Sequence, residues 1–146
     1  MRDIKFRGKR VDNNKWVYGS LVIQKYNKIN KYYIIHLAFI SSEFAFFEEV
    51  IPETVGQFVE LKDSKGIEIY EGDILANIND SKIYVVYFGE CVAYHKSYYT
   101  KCGYIGFGIK EYYKGRNVRK IQLIGTELLF EIIGNIKENP ELLEKK

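Results

Sequence analysis

The sequence predicts a mainly β fold. Three observations favour it: abundant aromatic residues, short β-branched or aromatic runs, and turn residues between those runs. The 146 residues include 13 Tyr, 9 Phe and 1 Trp, and such side chains suit a pleated, half-buried surface. Turns that recur about every eight to twelve residues are typical of a small barrel or sandwich. We therefore expect an N-terminal β-hairpin subdomain, a small SH3-like β-barrel and a short C-terminal helix.

The N-terminal part of the chain predicts the hairpin. Residues 3–10 alternate charged and apolar side chains, which indicates a strand. The Asp-Asn-Asn-Lys cluster at 12–15 favours a tight turn, and 16–23 predicts the returning strand. Residues 32–40 are apolar enough for a central strand. Residues 41–50 fit either a short helix or a further strand.

The remainder predicts the barrel and its closing helix. LKDSKG and YEGD provide turn residues between apolar runs. Further strands are expected over 55–61, 74–78 and 83–88. The chain continues through 67–70 between the two turns, the pattern loosens after Gly89 and tightens again at 118–124, and 128–136 is apolar apart from Gly134-Asn135. Asn139 suits a helix N-cap and Pro140 the first helical position, so a helix is predicted from Pro140 to about Lys145. We expect one unit over 1–146, with the hairpin subdomain in 1–50 and the barrel and helix in 51–146.

Composition narrows the class of protein. Hydrophobic residues make up 47% of the chain and charged residues 28%, which is typical of a globular protein. No apolar stretch approaches the roughly 20 residues that a membrane span requires, and the N-terminus lacks the apolar core of a signal peptide. Two cysteines cannot form a disulfide framework. The expectation is a cytoplasmic protein with no membrane partner.

The net charge of +3 conceals a block pattern. Residues 1–35 carry nine bases and two acids, 36–90 carry three bases and eleven acids, and 91–146 carry ten bases and six acids. Opposite patches would favour a homo-oligomer, and a basic patch would favour anionic partners. The alternative is that folding interleaves the blocks and averages the field.

Residues 91–125 are the candidate binding region. Bases and aromatic rings alternate there, and single-stranded nucleic acid is bound by cations that contact phosphates beside rings that stack on bases. The alternative is that the rings face the core and the bases are solvated. The candidate surface consists of Tyr98, Tyr99, Lys101, Tyr112, Tyr113, Lys114, Arg116 and Arg119.

Catalytic and metal signals are weak. Glu68, Glu71 and Asp73 could gather carboxylates, but Gly72-Asp73 is also what a tight turn requires. A zinc site at Cys91, His95 and Cys102 lacks paired CxxC spacing. With only two histidines, no nucleophile-base constellation is visible. We predict no enzyme, no catalytic residue, no cofactor and no metal.

Three segments carry a family resemblance. They read IKFRGKRVDNNKWVYGSL at 4–21, TVGQFVELKDSKGIEIYEGDIL at 54–75 and IGNIKENPELL at 133–143. The last two resemble the signature segments of the YopX family of phage and prophage proteins, and the first resembles its opening hairpin. One position departs: the family commonly has Gly just before the LKD turn, where this chain has Glu60.

The resemblance implies a mostly β phage protein that acts in the cytoplasm of a bacterial host, with no established activity. Our leading hypothesis is a non-enzymatic accessory protein that binds a host or phage macromolecule and that associates into a homo-oligomer. A second hypothesis is nucleic-acid binding through 91–125. A third is sequestration of a small anionic nucleotide.

Overall fold

The protein is mainly β, as expected. The computed structural model describes residues 3–40, 42–80, 82–95, 100–113, 116–122 and 129–144. The strands are β1 (Phe6–Lys9), β2 (Trp16–Tyr26), β3 (Ile29–Ile40), β4 (Ser42–Val50), β5 (Gly56–Lys62), β6 (Glu68–Tyr70), β7 (Asp73–Asn77), β8 (Ile83–His95), β9 (Thr100–Tyr113), β10 (Arg116–Gln122) and β11 (Phe130–Asn135). The chain divides into two compact units, 1–58 and 59–146, and the boundary falls within β5.

The first unit is an antiparallel sheet. Its strand order is β4-β3-β2-β1, followed by the start of β5. The turn from β1 to β2 has the predicted chemistry, because the Asn13 side chain accepts the Lys15 N–H at 2.9 Å. One sheet face is packed: Ile34 is 0% and Val50 1% exposed. Residues 42–50, which the sequence left between helix and strand, form β4.

The second unit contains a five-stranded antiparallel sheet with the order β10-β9-β8-β7-β11. β6 follows β5 through the LKDSKG turn and is its neighbour. The core of this unit is apolar and aromatic, and the rings of Tyr84 and Phe130 meet edge to face with centroids 5.2 Å apart. The buried members of the core are Val59, Ile69, Leu75, Tyr84, Val86, Ile109 and Phe130.

Two details of the predicted fold are wrong. The described strands form two antiparallel sheets and not a closed barrel. The C-terminal helix is only a 3-10 turn, Pro140–Leu143. Asn139 precedes it without capping it: its side-chain oxygen accepts the Asn135 N–H at 3.3 Å. The helix therefore lacks the cap on which the prediction rested. Within the described ranges, no helix has the length and apolar character needed to cross a membrane.

Candidate binding surface

Asp63 organises the turn that joins β5 to β6. Its side chain is buried, and one carboxylate oxygen accepts the N–H groups of Lys65 and Ile67, both at 2.9 Å. The other oxygen accepts the Ile132 N–H at 3.2 Å. Ser64 N–H donates to the Phe130 carbonyl at 2.9 Å. The carboxylate thus fixes the turn and joins it to β11, because it supplies acceptors for three backbone donors.

The YEGD segment forms a second turn against the end of β11. Asp73 is 1% exposed, and its carboxylate accepts the Tyr70 N–H at 2.8 Å. Gly72 has φ +85°, donates its N–H to the Val86 carbonyl and accepts the Ile136 N–H, both at 3.0 Å. A left-handed φ favours glycine. The two carboxylate-bearing turns and β11 therefore form one hydrogen-bonded structure.

Glu68, Glu71 and Asp73 each accept a hydrogen bond in or beside this turn. Glu68 accepts the Tyr70 hydroxyl at 2.7 Å, and Glu71 accepts the Phe88 N–H at 3.4 Å. Within the described part of the chain, no group of three His, Cys, Asp or Glu side chains could hold a metal ion. The side chains of Cys91, His95 and Cys102 lie outside the described residues.

An apolar face lies on the outer strands of the first unit. Val22 pairs with Tyr33 across β2 and β3, and Ile35 pairs with Phe47 across β3 and β4. Directly paired residues share a face, and so do residues two apart on one strand. Phe47 is 61% and Val22 38% exposed, while Tyr33 and Ile35 are half-buried. These four side chains are called here the apolar face. They project from the side of the sheet opposite to the packed side that contains Ile34.

A groove opens on this face. Its volume is about 530 Å³, and it is lined by Val22, Ile23, Gln24, Tyr33 and Phe47. Apolar side chains with a polar margin are the usual composition of a protein-binding surface. The lining of the groove has this composition.

The margin of the apolar face is polar and electrically balanced. Lys31 pairs with Gln24 across β2 and β3, and its ammonium group is 3.1 Å from the Glu49 carboxylate. The hydrogen bond and the charge of Glu49 hold the pKa of Lys31 above its ordinary value of 10.5. Because the pair is exposed, its effect on stability is small. The pair places one charge of each sign at this margin.

The predicted basic and aromatic surface is described only in part. Tyr98, Tyr99 and Lys114 lie outside the described residues. Lys101, Tyr113, Arg116 and Arg119 have described backbones, on β9 and β10, but their side chains lie outside the description. Tyr112 is half-buried on β9, where it pairs with Ile83 and Asn117. That surface stays a prediction.

The turn around Asp73 brings the two resemblance segments at 54–75 and 133–143 together, because the Ile136 N–H donates to the Gly72 carbonyl at 3.0 Å. The family model described as YopX protein matches residues 5–144, nearly the whole chain. The chain belongs to the YopX family. No curated protein matches it. Among solved structures, the YopX chain is similar to the crystal structure of protein EF1440 from Enterococcus faecalis, with 22% identity and a TM-score of 0.44, over 99% of this chain and 100% of that one.

The one departure from the YopX motif has a structural counterpart. Glu60, where the family commonly has Gly, adopts φ +66° within β5. This left-handed conformation costs a residue with a Cβ about 1–2 kcal/mol. The backbone at this position thus has the conformation that glycine favours, although the side chain has changed.

The sequence reasoning missed the apolar face. A signal was present, because residues 32–35 are apolar or aromatic at every position, a pattern that predicts a central strand. Such a run is equally compatible with a strand that has one packed face and one exposed face. Phe46 and Phe47 lie on opposite faces of β4 because they are adjacent in one strand.

Proposed function

We propose that this YopX protein is a non-enzymatic binding protein of a phage or prophage, which acts in the bacterial cytoplasm by docking another protein on its apolar face. The observation that carries the proposal is the exposure of Phe47 beside Val22 and Tyr33 over one groove. Aromatic side chains at the centre of an interface commonly supply most of its binding energy.

The character of the margin favours a protein over a nucleic acid as the partner. Nucleic-acid affinity comes mainly from cations that displace counterions at phosphates. Among the described strands, Lys31 is the one cation that lies directly opposite a groove-lining residue. Its ammonium group forms an ion pair with Glu49. An apolar centre with a neutral rim matches a protein surface of the same kind.

The buried carboxylates support a role without catalysis. Asp63 and Asp73 both accept backbone N–H groups inside turns. Carboxylates held in this way stabilise the fold. The apolar face is therefore the described surface best suited to function.

The test is capture followed by measurement with purified components. The immobilised chain is exposed to host lysate that has been split into nuclease-treated and untreated halves. Each retained protein is then purified and titrated by calorimetry against wild type, Phe47→Ser and the control Ile78→Ser. Ile78 is 54% exposed and lies in the second unit.

We expect Phe47→Ser to weaken binding by roughly 30-fold, the effect of losing a central aromatic contact of about 2 kcal/mol. The control should bind as wild type. Equal affinity of Phe47→Ser and wild type would overturn the proposal. Retained material that disappears with nuclease would instead favour the nucleic-acid hypothesis, and a nucleotide found by native mass spectrometry would favour sequestration.

A further inference from the structure

One edge of β2 is open beside the groove. β1 pairs with β2 only from Trp16 to Gly19, whereas β3 pairs with it from Ser20 to Tyr26. Among the described strands, none pairs with 20–26 on the side away from β3. This side of 20–26, called here the open edge, has backbone N–H and C=O groups that can pair with a strand from another molecule.

The lining of the groove reaches the open edge. Val22, Ile23 and Gln24 are consecutive residues of β2, and all three line the groove. Successive side chains of a strand point to opposite faces, so Val22 and Gln24 project from one face and Ile23 from the other. Because β3 occupies one side of β2, a groove that contacts both faces passes around the other side. An extended segment lying in the groove would therefore meet the open backbone groups of β2.

The hairpin that β2 and β3 form is basic beyond the groove. Residues 13–42 contain no Asp or Glu. Lys25 and Lys28 are exposed, and among the described residues neither forms an ion pair, in contrast to Lys31. Lys25 also projects from the face opposite to Gln24, so it does not belong to the balanced margin of the apolar face. Two uncompensated cations therefore lie next to the groove in the chain.

Exposed aliphatic side chains accompany these cations. Ile23 is 53% and Ile29 66% exposed. Nucleic-acid affinity grows with the number of cations that neutralise phosphates, but the described part of this hairpin exposes as many isoleucines as unpaired lysines. Charge across a protein interface is arranged to be complementary. The combination thus favours a protein segment that is both apolar and acidic.

We propose that the protein that docks on the apolar face adds an extended, acidic segment to the open edge of β2. The inference rests on the proposed function and names the chemistry of the part of the partner that enters the groove. In such strand addition, main-chain hydrogen bonds supply affinity, and pockets for alternate side chains supply specificity.

The pairing specifies the sequence pattern of that segment. Residues directly opposite each other on paired strands contact each other on one face. The residues opposite Val22 and Ile23 are therefore apolar, and the residue opposite Lys25 is acidic. The segment has two adjacent apolar residues and an Asp or Glu two positions beyond them.

Three synthetic peptides serve as probes. The acidic peptide has two adjacent valines, a threonine on each side of them and a glutamate beyond each threonine. This symmetric order places a carboxylate opposite Lys25 in either strand direction. The neutral and basic peptides have glutamine or lysine in place of both glutamates. Each peptide is titrated into the isotope-labelled full chain, and NMR records the shifts and exchange rates of the amides of 20–26.

Charge reversal at Lys25 gives the matched comparison. The titrations are repeated with Lys25→Glu, with Lys25→Arg and with the control Lys137→Glu, which reverses an exposed charge in the second unit. We expect wild type to bind the acidic peptide about tenfold more tightly than the basic one, and Lys25→Glu to reverse this order. Lys25→Arg and the control should behave as wild type.

Two further readouts need no variant. Every second amide of 20–26 should exchange more slowly with the acidic peptide bound, because alternate residues of β2 direct their N–H groups away from β3. The preference of wild type for the acidic peptide should disappear at about 1 M salt, where the screening length is about 3 Å.

Three results would overturn the inference. The first is equal affinity of wild type for the acidic and basic peptides. The second is slow exchange of all amides of 20–26 in the free chain, which would mean that a second copy or another segment covers the edge. The third is a single-stranded oligonucleotide that shifts these amides more strongly than the acidic peptide does. None of them touches the proposed function, which fails instead if Phe47→Ser binds the captured protein as wild type does.

Discussion

The Asp63 carboxylate accepts the backbone N–H of Ile132 at 3.2 Å, although 69 positions separate the two residues. This bond joins the LKDSKG turn to β11. The Gly72 carbonyl in turn accepts the Ile136 N–H at 3.0 Å, so the two YopX signature segments meet in the second unit. Their residues stabilise the fold, while the apolar face of the first unit is the surface proposed for binding.

Replacing the Asp63 carboxylate should destabilise the protein. Asp63→Asn keeps the shape but replaces one acceptor oxygen by a donor, which leaves a buried N–H without its acceptor. We expect a loss of about 1–3 kcal/mol in the free energy of unfolding, measured by urea denaturation. The control Asp80→Asn changes an exposed turn residue that accepts the Lys82 N–H at 3.0 Å. Equal losses in the two variants would contradict the role of Asp63.

Because Glu60 has a left-handed conformation, we expect glycine at this position to give a more stable protein than alanine, the reverse of the usual order in a strand. Glu60→Gly should be more stable than Glu60→Ala by about 1 kcal/mol, because both remove the side chain but only Ala retains the strain of φ +66°. At the exposed control position Lys62 on the same strand, Gly should be less stable than Ala by about 0.5–1 kcal/mol. Thermal unfolding of the four variants gives both differences. The same order at both positions would contradict the conformation of Glu60.

Gly72 should tolerate a methyl group less well than Gly66 does. Both have positive φ, +85° and +80°, so alanine costs each about 1–2 kcal/mol. A Cβ at Gly72 would also lie 3.2 Å from the Asn135 side-chain nitrogen, whereas a Cβ at Gly66 would meet nothing within 4 Å. We expect Gly72→Ala to be the less stable variant in urea denaturation. A greater loss for Gly66→Ala would contradict the contact between the YEGD turn and β11.

The ion pair between Lys65 and Glu131 predicts an alkaline titration. The hydrogen bond and charge of Glu131 raise the pKa of Lys65 above its ordinary 10.5. Since the folded-state pKa is the higher one, the stabilisation is complete below about pH 10.5 and is lost as pH rises through the raised pKa. Glu131→Gln should lower the pKa of Lys65 in an NMR titration of its ε-carbon. The control Glu141→Gln should leave it unchanged, and an unshifted Lys65 in Glu131→Gln would contradict the pair.

The sequence predicted the turns that depend on neighbouring residues, but not which distant strands pair. Asn13 and one carboxylate oxygen of Asp63 accept N–H groups of their own turns, so residue type and spacing predicted both turns, whereas the bond from Ile132 to the other Asp63 oxygen is long-range and was not predicted. The departure at Glu60 predicted a different backbone or a different neighbour at that point, whereas the structure gives Glu60 the left-handed φ of +66° that glycine favours. Closure of a barrel depends on how distant strands pair, which no local pattern determines. The helix predicted from Pro140 is only a 3-10 turn, since the Asn139 side chain accepts the Asn135 N–H instead of capping it.

The most direct test of the proposed docking is oxidative footprinting of the chain, free and bound to the protein that it captures. Hydroxyl radicals modify exposed aromatic side chains. In the complex, we predict that Phe47 and Tyr33 become protected, while Phe88, 54% exposed in the second unit, reacts as in the free chain. Unchanged reactivity of Phe47 and Tyr33 under saturating partner would contradict docking on the apolar face.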